Sequence, residues 1–455
     1  MLAQMAILHA GGGEFMWVVV DRGPWFVSRG EAGGVTEHEA RTTDHDPLGH
    51  GSAFAILAGH VYFAVIHLDR SSMAQKIATH SDRTHTPAFI AARVEKLRAA
   101  LLAAKLPALL VTNFPDVSYL TGFEGDDSYA LVTAEKVLLI SDSRYEEQIT
   151  REAPWVTAVM RQKQIMEEVG RQVRKIGLTK LGVQAESLTL AQKGTLEGFL
   201  KGKSKGRSVK LAPAKELVIK LRHHKDAHEI SILEEAIRIA EGAFEALKGH
   251  IRGGGQILTE NEIASLLVHE MRKRGALNSS FDSIVAVGAN GSLPHYRPQN
   301  VQLTNNTPLL IDWGARYRGY CSDLTRVLFI GNVPAAIRKI YQVVLDAQMA
   351  AIEAIKPGKT GKQIDKIARD IIAKAGYGKN FGHGLGHGVG RDIHEALSLS
   401  KLSTTVLEPG MVVTVEPGIY LPGVGGVRIE DDILVTDTGC RVLSRLPKDL
   451  ASAQL

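Results

Sequence analysis

The chain has 455 residues, of which 44% are hydrophobic and 23% are charged, and its formal net charge is +5. This composition leaves room for two or three globular domains and excludes a largely disordered or fibrous chain. Because the basic residues are spread along the sequence, nothing indicates a nucleic-acid-binding arm. The two cysteines, Cys321 and Cys440, form no CxxC pair and no secretory disulfide framework, so we expect a reducing, cytoplasmic location.

Residues 1–85 differ from the rest of the chain, because their apolar runs are isolated and lack a clear period. Their scattered histidines do not follow ligand spacing on a recognisable element. We interpret this segment as a poorly ordered leader, with Met73 as an alternative start. The apolar run Ser52–Leu68 is short for a membrane span, contains histidines and lacks the basic flank of a signal peptide. We therefore expect no membrane association.

From Ala88 onward, helical and strand patterns alternate, which is typical of a small α/β domain. The predicted elements are a helix over Ala88–Ala104, a strand over Ala108–Val111, a hairpin over Tyr129–Ile140, a strand over Val156–Met160, a helix over Ile165–Ile176, a strand over Leu181–Gln184, a helix over Leu190–Leu200 and a strand over Val209–Leu211. We assign residues 86–212 to this domain, with the Lys/Gly/Ser-rich stretch Lys201–Arg207 near its end.

A long amphipathic helix over about Asp226–Leu247 follows, and residues 213–455 form the second predicted domain. Asp226 is the predicted N-cap of this helix, with Glu229 three residues later as its capping-box partner.

The second domain contains an internal repeat. The sequences from Ala246 and from Ala351 both indicate the end of a helix, a glycine-containing turn and a second amphipathic helix. Each continues with a histidine-bearing segment, LPHYRP with His295 and GRDIHE with His394, and then with a β-hairpin that carries two acidic residues. We predict an α+β domain whose halves are related by a pseudo-two-fold axis.

The two hairpins place acidic residues within apolar strands. Asp312 and Asp323 lie on the arms of the first hairpin, and Glu416 and Glu430 lie on those of the second. Side chains that face each other across a hairpin share one side of it, so the repeat brings four carboxylates to one cavity. Such a cluster repels itself unless cations neutralise it, and we therefore predict two divalent metal ions there.

The segment HGLGHGVGRDIHE is the densest functional signal of the chain, and it contains His383, His387 and His394. Its glycines let the backbone approach a cavity closely, and neutral imidazole is a ligand for Mn, Co, Zn or Fe. The glycines do not follow the GxGxxG pattern of a dinucleotide-binding loop. The HExxH motif of single-zinc proteases is absent from the sequence as well.

On these residues the chain resembles the pita-bread metallopeptidases and, within them, the branch of Xaa-Pro aminopeptidases and prolidases. The resemblance covers roughly residues 86 to 450 and includes NFPDVSYLTGF, DSRYEEQ, HGLGHGVGRDIHE and VEPGIY. It implies an α/β creatinase-like N-terminal domain followed by an α+β pita-bread catalytic domain of the creatinase/aminopeptidase type. It also implies that the metal ligands are Asp312, Asp323, His387, Glu416 and Glu430.

Roles follow from the same resemblance. Asp312 would chelate one metal, Asp323 and Glu430 would bridge both, and His387 and Glu416 would complete the shell of the other.

His295 and His394 would contact the scissile carbonyl and the tetrahedral intermediate. Apart from the resemblance, we expect Glu416 to accept a proton from the attacking water and relay it to the leaving nitrogen. His383 would line the substrate pocket, and Arg428 would hold a carboxylate ligand beside that pocket. One departure is Arg391, where the branch usually has an apolar residue, and we expect it to change the wall or the charge of the pocket.

These roles predict an Xaa-Pro aminopeptidase that binds two divalent metals, with Mn as the first expectation and Co, Zn or Fe as alternatives. Its expected substrates are peptides with proline at the second position, and we expect a homodimer. An Xaa-Pro dipeptidase is the nearest alternative, because the preference rests only on the lack of an insertion that would close the site around a dipeptide. A metal-free binding scaffold or an amidinohydrolase of this fold would lack metal ligands, and a methionine aminopeptidase would not need the large α/β domain.

Overall fold

The computed structural model describes residues 86–201, 208–253 and 258–455, together with the backbone of strands in the first 65 residues. The chain divides into two compact units, Met1–Thr84 and His85–Leu455. The strands of the first unit are β1 Gln4–Ala10, β2 Glu14–Val20, β3 Phe26–Glu31, β4 Gly34–Glu39, β5 Ser52–Leu57 and β6 His60–Val65. The first four form an antiparallel sheet in the order β1-β2-β3-β4, and β5 pairs with β6. Otherwise the predicted leader over residues 1–85 lies outside the described residues, and it stays a prediction.

The second unit begins with alternating helices and strands, as the hydrophobic pattern predicts. They are α1 Ala88–Ala103, β7 Ala108–Val111, α2 Phe114–Thr121, β8 Tyr129–Thr133, β9 Val137–Ser141, α3 Glu146–Glu152, β10 Thr157–Met160, α4 Ile165–Ile176, β11 Lys180–Gln184, α5 Leu190–Leu200, β12 Lys210–Ala214 and α6 Leu217–His223. The strands form one six-stranded sheet in the order β10-β9-β8-β7-β11-β12. Each element predicted for residues 86–212 is present, and β12 continues past Leu211 to Ala214.

Helix α7, Ala227–Arg252, begins at the predicted cap. The Asp226 carboxylate accepts a hydrogen bond from the Glu229 amide at 2.9 Å, and the Glu229 carboxylate accepts one from the Asp226 amide at 3.0 Å. This reciprocal pair satisfies two amide groups that the helix itself leaves free. The helix runs past the predicted end at Leu247 to Arg252. No helix among the described residues is long and apolar enough to cross a membrane.

The rest of the unit contains two similar series of elements, of which the second has one strand more than the first. The first series is α7, α8 Glu260–Lys273, β13 Asn278–Ser279, β14 Ile284–Val287, β15 Pro308–Trp313, β16 Ala315–Tyr317, β17 Tyr320–Cys321 and β18 Leu324–Phe329. The second series is α9 Ala335–Ala354, α10 Gly361–Lys374, β19 Gly386–Gly388, β20 Glu395–Leu399, β21 Val412–Val415, β22 Gly418–Leu421, β23 Gly425–Arg428, β24 Asp431–Val435 and β25 Cys440–Val442.

Local details confirm that the two series are related. Thr259 and Thr360 cap the second helix of their series, and each forms a capping box with the third residue of that helix. Each capping threonine also forms an isolated antiparallel bridge, Thr259 with Gln302 and Thr360 with Val406. Because cap, bridge and strand order recur together, the predicted repeat is present in the fold.

The predicted hairpins are longer than simple two-stranded turns. In the first, β15 pairs with β18 and places Asp312 opposite Thr325, while β16 and β17 form a smaller pair at the tip. In the second, β21 pairs with β24, and β22 and β23 form the tip. A single antiparallel bridge between Thr325 and Glu430 joins the two hairpins side by side. The acidic arms of the two halves therefore meet at one place.

Candidate metal centre

A cavity of 540 Å³ lies where the two hairpins meet. Every residue that the sequence singles out for ligation, catalysis or substrate binding lines it, namely Asp312, Asp323, His387, Glu416, Glu430, His295, His383, His394 and Arg428. The structure thus brings together the whole predicted set, whereas the individual roles stay predictions.

The four carboxylates lie where the main strand pairs end. Asp312 is the penultimate residue of β15, and Asp323 immediately precedes β18. Glu416 follows β21, and Glu430 precedes β24. Asp312 is still paired within its sheet, whereas the other three carboxylates lie just outside the named strands. All four line the cavity while the neighbouring apolar side chains remain in the core. The exposed fraction is 8% for Asp312, 5% for Asp323 and 1% for Glu430.

Three of the predicted ligands form a compact group. One ligand atom each of Asp323, His387 and Glu430 lies within 4.8 Å of the others. The Nε2 atom of His387 is 3.5 Å from Asp323 Oδ2, and its Nδ1 atom is 3.0 Å from the Gly388 carbonyl oxygen. A ring that donates from Nδ1 to this carbonyl presents the Nε2 lone pair to a cation, as metal-binding histidines commonly do.

The remaining two ligand candidates border this group. Glu416 Oε1 is 3.4 Å from His387 Nε2. Asp312 binds Arg428 through Oδ2, while its Oδ1 atom is buried without a hydrogen-bond partner among the described residues. A buried carboxylate oxygen without a partner is costly, and a bound cation would satisfy it.

The charges of the cluster fit cations as well. Burial and then the neighbouring carboxylates raise the pKa values of Asp323 and Glu430 well above the ordinary range. Burial raises the pKa of Glu416 to about 8 and lowers the pKa of His387 to about 4. The carboxylates therefore resist ionisation unless positive charge is supplied, while the imidazole is neutral and able to ligate. The residues present fit a divalent metal centre.

Arg428 connects this centre to the substrate side of the cavity. Its Nη2 atom donates to Asp312, its Nε atom to the Thr325 hydroxyl at 3.1 Å, and its Nη1 atom to the Tyr420 hydroxyl at 2.7 Å. The Tyr420 hydroxyl in turn lies 2.9 Å from His383 Nε2. Since each guanidinium nitrogen already has a partner, Arg428 holds the Asp312 carboxylate in place, and a direct contact with substrate stays a prediction.

The other two predicted catalytic histidines are accessible from the cavity. His394 packs edge-on against His387, with the ring centroids 4.4 Å apart. Both His394 and His295 are exposed side chains that line the cavity. Imidazole groups in this setting can donate hydrogen bonds to a substrate oxygen.

Sequence reasoning missed two polar residues of the centre, Thr325 and Tyr420. The Thr325 hydroxyl donates to Glu430 Oε2 at 2.6 Å, which fixes that carboxylate. A period of two from Asp323 places Thr325 on the same face of the strand, so this signal was available. Tyr420 lies within the VEPGIY segment, but only the structure shows that it links His383 to Arg428.

The expectation that Arg391 alters the pocket wall is wrong. Arg391 is buried away from the cavity, where its Nη2 atom binds Glu124 Oε1 at 2.8 Å and also contacts the Ser118 hydroxyl. Its guanidinium lies over the Tyr320 ring, 4.8 Å from the centroid. The side chain is turned toward the preceding α/β region, so its charge is paired there.

A buried ion cluster anchors the segment that carries His394. The adjacent Glu395 accepts hydrogen bonds from Arg222 Nη2 at 2.6 Å and from Lys225 Nζ at 2.9 Å. Arg222 also donates to Asp116 Oδ1 at 2.7 Å, on helix α2. The cluster therefore connects the segment that carries His394 to the α/β region through Arg222 and Lys225.

Comparisons with known proteins relate the chain to peptidases over most of its length. Residues 231–437 match metallopeptidase family M24, and residues 93–224 match the creatinase/prolidase N-terminal domain. The chain is 40% identical over 358 residues to the uncharacterized peptidase YqhT of Bacillus subtilis (strain 168), which covers 79% of this chain and 99% of that protein.

Two solved structures of similar chains carry different activities in their names. The Xaa-Pro dipeptidase from Bacillus anthracis is 40% identical with a TM-score of 0.74, covering 79% of this chain and 99% of that one. The X-Pro aminopeptidase from Thermotoga maritima MSB8 is 34% identical with a TM-score of 0.71, covering 76% of this chain and 97% of that one.

Proposed function

The chain belongs to metallopeptidase family M24, and on that premise we propose that it hydrolyses the bond between an N-terminal residue and a following proline. The observation that carries the proposal is the compact group of Asp323, His387 and Glu430 in a cavity lined by further carboxylates and histidines. The preference for proline is supported by the names of the two structural relatives.

We propose that the cluster holds two divalent metal ions. Mn is the first candidate, and Co, Zn and Fe suit the same mixture of carboxylates and imidazole. The ligands would be Asp312, Asp323, His387, Glu416 and Glu430. When bound, such ions supply positive charge that makes a water molecule acidic near neutral pH and polarises a carbonyl group.

The protein's own residues would bind the peptide and move its protons. His295 and His394 would donate hydrogen bonds to the carbonyl oxygen as it gains negative charge. Glu416 would accept the proton of the attacking water and return it to the leaving nitrogen. Proline's nitrogen carries no hydrogen in the peptide, so this proton gives the released proline its secondary amine. Arg428 would keep Asp312 in place throughout.

Two classes of substrate remain candidates. An aminopeptidase that accepts peptides continuing beyond proline is supported by the lack of an obvious insertion in the sequence and by the name of the relative from Thermotoga maritima. The dipeptidase from Bacillus anthracis supports an enzyme restricted to Xaa-Pro dipeptides. The cytoplasmic location, the homodimer and the domain limits 86–212 and 213–455 stay predictions.

The test is hydrolysis of Ala-Pro and Ala-Pro-Ala by protein stripped of metal and then reconstituted with Mn, Co or Zn. We expect release of alanine from at least one of the two, and loss of that activity when a chelator is added. Ala-Ala and Ala-Ala-Ala are the matched controls for the proline requirement. If no metal restored cleavage of either proline peptide, the proposed function would be wrong.

A further inference from the structure

We propose that Arg297 binds the free carboxylate of the substrate and makes the enzyme selective for Xaa-Pro dipeptides. The inference rests on the proposed function, and it narrows the substrate class that the metal centre alone leaves open.

Only two arginine or lysine residues occur among the described residues that line the cavity, Arg297 and Arg428. Arg428 is buried, and its nitrogens donate to Asp312, Thr325 and Tyr420. The Arg297 side chain is exposed, and it forms no hydrogen bond or ion pair with any residue in the described part of the chain. Arg297 is therefore the cation whose donors are available to a ligand.

The backbone that carries Arg297 is anchored. The intervening Tyr296 is 9% exposed, and its hydroxyl donates to Glu260 Oε2 at 2.8 Å. The same carboxylate oxygen accepts the Gln299 amide at 3.0 Å. The neighbours on either side of Tyr296, His295 and Arg297, are both exposed and both line the cavity. Anchoring of this kind reduces the entropy lost when a side chain binds a ligand.

The two-residue spacing between His295 and Arg297 suits the length of a dipeptide. His295 is the proposed partner of the scissile carbonyl, and Arg297 lies two residues further along the chain. In a dipeptide the terminal carboxylate follows the scissile carbonyl after a single residue, a step of about 3.8 Å between Cα atoms. A long arginine side chain covers a distance of this order, and its planar donors match a carboxylate with two parallel hydrogen bonds.

The cavity also has an apolar wall that can receive the proline ring between His295 and Arg297. Phe281, Ile284 and Ile393 line it together with Arg297. A proline ring is apolar and carries no hydrogen-bond donor within the dipeptide, so an apolar wall receives it without leaving a polar group unpaired. The carbonyl group before the proline would then bind His295, and the proline carboxylate would bind the guanidinium of Arg297.

The experiment compares Ala-Pro with Ala-Pro-NH₂, which lacks the negative charge, using wild-type enzyme, Arg297→Gln and Arg297→Lys. We expect Arg297→Gln to lower kcat/KM for Ala-Pro by about 10- to 100-fold, mainly through KM, and to leave the amide unaffected. Arg297→Lys should recover part of the loss, because it keeps the charge without the two parallel donors. Competitive inhibition by L-proline should weaken by a similar factor in Arg297→Gln, while inhibition by L-prolinamide stays constant.

Arg338→Gln is the matched control, since Arg338 is an exposed arginine on α9 that does not line the cavity. An equal loss on Ala-Pro and Ala-Pro-NH₂ in Arg297→Gln, or no loss on either, would overturn the assignment while leaving the proposed function intact. Failure of the wild-type enzyme to hydrolyse Ala-Pro, Ala-Pro-NH₂ and Ala-Pro-Ala would overturn the proposed function, and this inference with it.

Discussion

Two side chains of the centre, Asp323 and His394, have different proposed roles, metal binding for the first and action on the substrate for the second. Asp323 belongs to the compact group whose ligand atoms lie within 4.8 Å of one another. His394 is outside that group, although its ring contacts His387. The two residues therefore separate metal binding from later steps, and substitution of each tests the roles assigned to them.

We predict that Asp323→Ala loses metal and activity together, because it removes a carboxylate on which the cluster depends. His394→Ala should keep its metal content and lower kcat by about 100- to 1,000-fold, the usual effect of removing one donor to a developing oxyanion. Elemental analysis of the purified variants, combined with kinetics on Ala-Pro, measures both. Equal metal loss in the two variants would contradict the role given to His394.

At the scale of elements, short strands position the residues of the centre, and a buried ion cluster anchors one of these strands, β20. Strand β20 begins at Glu395, whose carboxylate binds Arg222 and Lys225. Although burial alone would raise it, these two cations lower the pKa of Glu395 from an ordinary value of 4.5 to about 2. A lowered pKa means that the ionised form stabilises the fold, and this stabilisation is complete only above the unfolded-state pKa.

We predict that Glu395→Gln reduces the free energy of unfolding by about 3–5 kcal/mol at pH 7, because it leaves two buried cations without their partner. In the wild type the same contribution is present above pH 4.5 and is lost as the pH falls toward 2. The difference between the two proteins should therefore shrink by about 3 kcal/mol over that range.

Urea unfolding of metal-free protein at several pH values measures this difference. Glu353→Gln, at an exposed glutamate on α9, is the control and should match the wild type throughout. A deficit for Glu395→Gln that stayed constant down to pH 3 would argue against an ionised Glu395 in the cluster.

The elements were largely predictable because their signals are local. Helical and strand periodicity predicts nine of the twelve elements of the α/β region and misses the short helices α2, α3 and α6. The Asp226 capping box predicts the start of α7. The internal repeat likewise predicts that the acidic arms of the two hairpins meet at one cavity. The direction of Arg391 was not predictable, since it depends on Glu124 and Ser118, which are distant in sequence.

At the scale of the whole molecule, the confirmed fold is an α/β creatinase-like domain followed by a pita-bread catalytic domain. The described residues that line the cavity belong to the second unit, His85–Leu455. The Bacillus subtilis relative is matched over 99% of its length by 79% of this chain. The predicted ligands could be located from sequence because the repeat and the histidine segment mark them. The groups that select the substrate could not be located from the sequence, because they include exposed side chains such as Arg297 that no motif marks.

We predict that a chain beginning at residue 86 keeps the metal content and the kcat/KM of the full-length protein within about twofold, since it retains all of the described residues that line the cavity. Kinetics on Ala-Pro, metal analysis and thermal unfolding of both proteins would measure this. A large loss of activity without loss of metal would show that residues 1–85 contribute to catalysis.

The single bridge between Thr325 and Glu430 has a consequence for synthesis on the ribosome. Asp312 and Asp323 are translated well before their partners in the second half. In the finished centre Arg428 pairs with Asp312, and Glu430 lies beside Asp323. The first half therefore emerges with acidic groups that it cannot bury alone. Docking of the second half should be the late event in folding, and metal capture should follow it. An ion that reached the nascent chain early would find only two of the five proposed ligands.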